Sequence, residues 1–347
     1  MDAQWINLII TVVKIVVVVF IFMLPLVMLM TLMERRISAF LQDRLGPNRV
    51  GPMGILQPIA DGLKAFFKED IFPVNVDRFL YLMAPAIILF PALITVAIVP
   101  FGDQMSTYIG GHLVNLRFQI ADLNIGILYF VSFASLGVYG LVVGGYASNN
   151  KYSMLGGLRS SAQMISYEIP MGLAIVAVVM RAQSLSLNDI VLSQATTWNF
   201  LYEPIGFIIF VVASFAETNR LPFDLPEAEQ ELVGGYHTEY SSMKFSAFFI
   251  AEYSNMIVSS MLITTLFLGG WQVPFGIMEA LNLPVIWEQL IQILAFLIKT
   301  GIFLFIYLWV RWTLPRFRYD QLMNLGWKSM LPLGLLNILL VAVQMKF

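Results

Sequence analysis

Runs of about 20 apolar residues recur along the chain, each long enough to cross a hydrocarbon layer of roughly 30 Å as a helix. They fall at Ile6–Met33, Phe79–Val99, Gly126–Tyr146, Ser161–Met180, Trp198–Ala216, Phe245–Phe267, Ile286–Val310 and Leu331–Met345. The fifth carries Asn199 and Glu203 at its start, and the eighth is short. The runs are continuous rather than alternating, which excludes a β-barrel. The pattern predicts an all-α integral membrane protein of about eight transmembrane helices. A second periodicity lies between the first two runs. Ile55, Leu56, Ile59, Leu63, Phe66 and Phe67 recur at helical spacing with Asp61, Lys64 and Lys68 between them. That is an amphipathic helix lying along the membrane surface. It serves either as a simple interfacial anchor or as one wall of an entrance for a lipid-soluble molecule.

Charge gives the chain its sidedness. Arg35, Arg36, Arg44, Arg49, Lys64, Lys68, Arg78, Lys151, Arg159, Arg220, Lys244, Arg311, Arg316, Arg318 and Lys328 fall in one set of loops; the other set has only Arg117, Arg181 and Lys346. The positive-inside rule puts the first set in the cytoplasm or matrix and both termini outside. Residues 1–347 then form a single membrane domain, with a first inner loop over 34–78 and an acidic inner loop over 217–244.

Composition narrows the chemistry. Hydrophobic residues make up 59% and charged residues 12%, with a net charge of -2 and no cysteine. The near-neutral charge excludes a nucleic-acid binder, and the missing thiols exclude Fe–S ligation within this chain. No nucleotide loop, metal cluster or nucleophile–base pair is present, so no residue here stores an electron. Acids are nevertheless placed where they are expensive. Glu168 and Glu252 lie inside the fourth and sixth runs, and Glu217 closes the fifth. A carboxylate at a helix centre costs roughly 2.5–3.5 kcal/mol and is by default a proton-relay candidate, with a structural ion pair as the alternative. Lys14 and Lys299 are the matching bases, and Glu288 is placed near the outer headgroups. The loop after the fifth run adds Asp224, Glu227, Glu229, Glu231 and Glu239. Pro226 fits a first helical turn and Gly234 and Gly235 its end, so a helix is predicted with Asp224, Glu227 and Glu231 on one face. A solvated acidic helix is the plain alternative.

Four stretches resemble one known family. They are Met33-Glu34-Arg35-Arg36 with Gly46-Pro47-Asn48-Arg49-Val50-Gly51-Pro52 and Leu56-Gln57-Pro58-Ile59-Ala60-Asp61-Gly62-Leu63-Lys64; Arg159-Ser160-Ser161-Ala162-Gln163-Met164-Ile165-Ser166-Tyr167-Glu168; Ala216 to Leu232, continuing through Thr238-Glu239-Tyr240 to Ala251-Glu252-Tyr253; and Pro315-Arg316-Phe317-Arg318-Tyr319-Asp320-Gln321-Leu322-Met323. Together they resemble the quinone-chamber membrane subunit of respiratory complex I. The resemblance implies a subunit of a proton-translocating NADH:ubiquinone oxidoreductase, with ubiquinone as substrate. FMN and Fe–S clusters would sit only in partner subunits. The implied partners are the peripheral quinone-site and Fe–S subunits, neighbouring small membrane subunits and membrane lipid. It also implies quinone contacts at Arg36, Arg44, Asp61, Lys64, Phe67, Arg220, Phe223 and Asp224, and a proton relay through Glu168, Glu217, Glu227, Glu229, Glu231 and Glu252. The membrane implied is the bacterial plasma membrane with periplasmic termini, or the mitochondrial inner membrane. The homologous subunit of an ion-pumping hydrogenase and a stand-alone ion transporter are the competing readings.

Overall fold

The computed structural model describes residues 3–109, 112–274 and 284–346. In chain order its helices are α1 (Ala3–Ile15), α2 (Leu24–Leu41), α3 (Gln57–Phe67), α4 (Arg78–Ile94), α5 (Gly126–Ala147), α6 (Lys151–Ala182), α7 (Leu187–Ser193), α8 (Asn199–Tyr202), α9 (Pro204–Glu217), α10 (Glu229–Leu232), α11 (Ser242–Phe267), α12 (Val285–Thr313), α13 (Tyr319–Asn324) and α14 (Leu331–Lys346). A π-helical turn, Val16–Met23, joins α1 to α2, and another, Leu325–Met330, joins α13 to α14. Among the described residues, seven helical segments are long and apolar enough to cross a membrane. The protein is therefore a multi-pass, all-α membrane protein.

Helix starts follow the local chemistry. The Asp77 carboxylate accepts from the amides of Phe79 and Leu80 and opens α4, satisfying donors that a helix leaves free at its first turn. Asn150 does the same for α6 through the Tyr152 amide. Pro170 sits inside α6 and Pro85 and Pro91 inside α4. Such interruptions are tolerated where neighbouring helices satisfy the freed carbonyls.

Two sequence expectations need correction, and the structure adds local detail to a third. The fifth span is not one helix over Trp198–Ala216. It breaks between α8 and α9, because Pro204 lacks an N–H and disfavours helical geometry at Glu203. At 14 residues, α9 is about 21 Å long, shorter than the hydrocarbon layer. The expected first inner loop opens in helical conformation. Helix α2 runs on to Leu41, so Glu34, Arg35 and Arg36 are helical. Among the described residues the acidic loop forms the one-turn α10 and a 3-10 turn, Gly235–His237, rather than one helix from Pro226 to Gly234, and Pro226 precedes both. Gly235, at φ +60, has the Pro226 carbonyl so close that a Cβ would overlap it. Gly156 of α6 packs on the same carbonyl. Close backbone packing, rather than helix propensity, therefore shapes this loop. A feature absent from the sequence reading is the antiparallel hairpin of β1 (Gln104–Ile109) and β2 (His112–Arg117), with Gln104 opposite Arg117.

The core is built around α11. Almost every residue from Phe248 to Phe267 is buried, with α4, α9 and α12 packed on it. A fully buried segment inside a membrane protein can hold polar groups away from lipid, and α11 does so with Glu252, Asn255 and Ser259.

Candidate functional site

An apolar cavity of about 360 Å³ opens between α2, the amphipathic α3 and the start of α11. Leu24, Val27 and Met28 of α2 and Phe245, Phe249 and Ile250 of α11 form its walls, and Pro58 and Gly62 of α3 form one side. Val27, Thr31 and Glu34 follow one another at helical spacing, so the stripe that walls the cavity ends on a carboxylate. Most large apolar side chains of α3 face outwards; Phe66 is 66% exposed and Phe67 79%. That outer face fits a lipid surface.

The far end of α3 is pinned to α11. The Ser242 hydroxyl donates to the carbonyls of Ala65 (3.0 Å) and Lys68 (3.1 Å). The Lys244 ammonium pairs with Asp70 at 2.8 Å and sits 3.4 Å over the Phe72 ring. This clasp holds the interfacial helix at a set distance from the wall it faces. On the other side, Asp61 pairs with Arg35 at 2.6 Å, and both line the cavity.

The cavity ends on a buried charge network. Glu34 accepts the Tyr253 hydroxyl at 2.5 Å and pairs with Arg311 at 2.5 Å and with Arg220 at 3.6 Å. Arg220 also pairs with Glu252 at 2.6 Å and lies 4.3 Å over the Tyr253 ring. Two arginines thus balance two carboxylates in a site almost closed to solvent. Such charges persist only when paired and held in good geometry.

Beyond Glu252 the polar groups continue. A small cavity of about 10 Å³, the lower bound for one water, is lined by Glu252, Asn255, Asn219 and Glu217. A second of the same size shares Glu217 and Asn255 and adds Ser259. Glu217 feels the charge of Glu168, and the Ser135 hydroxyl, which donates to the Val131 carbonyl at 3.0 Å, lies near the Glu168 carboxyl. The line from cavity to membrane interior therefore runs Glu34, Arg220, Glu252, Glu217, Glu168.

The acidic loop flanks this line without the shared helical face its sequence predicts. Asp224 pairs with Arg316 at 2.7 Å, Glu231 with Arg159 at 2.6 Å, and Glu227 stands near Tyr236 (3.3 Å) and His237 (3.8 Å). Burial first, and then the Glu227 charge, push the Asp224 carboxyl up to about 7, although the Arg316 and Arg220 guanidinium groups oppose the rise. The side chain of Glu229 lies outside the described residues.

Of the sequence-predicted quinone contacts, Asp61 lines the cavity, and Arg220 lies behind its lining, paired with Glu34 in the charge network. Arg36 donates to the Met53 carbonyl, and Arg44 to the Gln42 amide oxygen at 2.7 Å. Lys64 and Phe67 are on the exposed side of α3. Phe223 is buried between Tyr167 and Phe317, and Asp224 is held by Arg316. Glu34, Arg311, Tyr253 and Asn255 belong to the site but carry no assigned role in the sequence reading. The apolar period of α2 continues past Met33 through Ile37, and following it would have placed Glu34 on the buried face.

Among the described residues no group of three or more His, Asp or Glu side chains is placed to hold a metal ion. A family model described as NADH dehydrogenase matches residues 13–342. The chain is 51% identical over 327 residues to an NADH-quinone oxidoreductase subunit of Cytophaga hutchinsonii, covering 94% of each. It is 52% identical over 313 residues to an NADH-quinone oxidoreductase subunit of Protochlamydia amoebophila, covering 90% of this chain and 91% of that one. It is 51% identical over 319 residues to "NADH-quinone oxidoreductase subunit 8" of Rhodothermus marinus, covering 89% of this chain and 90% of that one.

Proposed function

The chain belongs to the NADH dehydrogenase family, and we propose that it serves NADH-quinone oxidoreductase, respiratory complex I, as the membrane subunit through which quinone enters. The observation that carries the reading is the junction of an apolar, membrane-level cavity with a buried line of carboxylates. Quinone passes between α2, α3 and α11, guided by a dry wall that suits an isoprenoid tail. The Fe–S cluster and FMN that supply its electrons belong to partner subunits, which dock on the inner loops. Reduction of the quinone to quinol takes up two protons, and the change in field falls on Glu34, which lines the cavity, and on its partner Arg220. Because these groups are coupled in a low-dielectric site, a change at one shifts proton occupancy at the next. Glu252, Glu217 and Glu168 pass that shift into the membrane, and Asp224, Glu227, Glu229 and Glu231 tune it from the loop. The membrane is the bacterial plasma membrane, with both termini periplasmic.

The test uses the assembled complex in vesicles. Gly62 lines the cavity, and a Cβ there meets nothing within 4 Å. Gly62→Trp should therefore leave the fold intact, lower turnover with a long-tailed quinone, and spare NADH oxidation by ferricyanide at the peripheral arm. Glu217→Gln should retain quinone turnover while losing proton uptake per quinone reduced. Full turnover with every quinone in the tryptophan variant would overturn the passage. Unchanged proton uptake in the glutamine variant would overturn the relay.

A further inference from the structure

A second groove, of about 520 Å³, opens on the opposite side of the molecule between α1, the segment after β2 and α12. Its walls are Ile9, Val13 and Val17 of α1, with Phe101, Ile293 and Leu297 across from them. At one level of this apolar trough stand two cations, Lys14 and Arg117. They are close enough for Arg117 to act on the Lys14 charge. The outer loops carry only Arg117, Arg181 and Lys346, so drawing Lys14 up to Arg117 is a local concentration of positive charge.

The cations are held there. The Lys14 ammonium donates to the Gln119 carbonyl at 3.0 Å. The Gln119 amide in turn donates to the Ile98 carbonyl at 2.5 Å, and Phe118 accepts the Phe101 amide at 2.9 Å. Arg117 has one carboxylate partner, Asp122. Among the described residues the Lys14 ammonium has no acid and two N–H groups without a partner. Lys14 lies eight residues after Ile6, where the apolar run begins, about 12 Å along the helix axis. A lysine at that depth extends its amine towards the headgroup level.

We propose that this groove binds one anionic phospholipid of the outer leaflet, its phosphate on Lys14 and Arg117 and an acyl chain along Ile9, Val13 and Val17. A neighbouring transmembrane helix could match the trough but leaves the net positive charge unmet. A zwitterionic lipid brings its own cation to the same place. An anionic phospholipid joins the required charge and the required chain in one molecule, and basic pockets between helices recognise such headgroups.

The assembled complex, washed with phosphatidylcholine and then reconstituted in phosphatidylcholine vesicles doped with phosphatidylglycerol, provides the test. Bound phospholipid is extracted after a second wash and quantified. Wild-type complex should retain one phosphatidylglycerol that the Lys14→Gln, Arg117→Gln double variant loses, and Lys14→Arg with Arg117→Lys should keep it. A benzophenone residue at Val13 in otherwise unaltered complex should crosslink to lipid, which decides the matter even if the double variant fails to assemble. Equal retention in the double variant, phosphatidylcholine held as firmly as phosphatidylglycerol, or a crosslink to a polypeptide would each overturn the proposal.

Discussion

Asp224 offers the sharpest quantitative test of the charge arrangement. Its carboxyl is displaced from an ordinary 3.8 to about 7 by burial and by Glu227. Its side chain is 12% exposed and lies 2.7 Å from Arg316. The displacement corresponds to about 4 kcal/mol favouring the protonated form. The sign follows from linkage. The folded loop holds its proton more tightly than an unfolded one, so this contribution to stability is complete below about 3.8 and is lost as the pH rises through about 7. Asp224 is then close to half-protonated at neutral pH and is able to give or accept a proton. Infrared difference titration of the assembled complex should show a protonated-carboxyl stretch that disappears with a midpoint near 7 and is missing in Asp224→Asn. Arg316→Gln removes the nearest opposing charge, so its midpoint should move higher. A band unaffected by Asp224→Asn, or a wild-type midpoint in the ordinary carboxylate range, would refute the reasoning, since either means water reaches the carboxylate freely.

Arg220 bridges Glu34 and Glu252. Arg220→Met should cost about 3–5 kcal/mol by leaving two buried carboxylates short of a partner, seen as loss of assembled complex on native gels. Arg220→Lys should not restore it, because one ammonium cannot reproduce the planar fork that meets both acids. Tyr253→Phe deletes the hydroxyl on Glu34, worth about 1.5–3 kcal/mol for a charged acceptor; quinone turnover should fall while assembly survives. Lys299 donates to the carbonyls of Leu268 (2.7 Å), Gly270 (3.0 Å) and Gln272 (2.7 Å) at the end of α11. Lys299→Met leaves these groups open and should shorten the half-life of the complex on heating, while turnover before heating stays unchanged.

Hydropathy is written residue by residue, so most of the spans were legible without any fold. So was α3, whose four large apolar residues, Ile59, Leu63, Phe66 and Phe67, recur at helical spacing and require one face against lipid. Glu168 and Glu252 stood out because an acid in an apolar run needs a partner. Which partner it finds is another matter. Residues 34, 220, 252 and 311 meet only because α2, α11 and α12 are rotated to face one another, and helix rotation depends on packing with distant segments. The acidic loop shows the same limit. Its composition favours a helix with three acids on one face, yet the contact of Gly235 and Gly156 with the Pro226 carbonyl shapes the loop, and Asp224 and Glu231 pair with Arg316 and Arg159. Chain order is enough to say whether lipid, water or protein solvates each segment. Which charges touch depends on packing across the bundle, because a buried ion is stable only beside a counterion and chain order does not bring the two together.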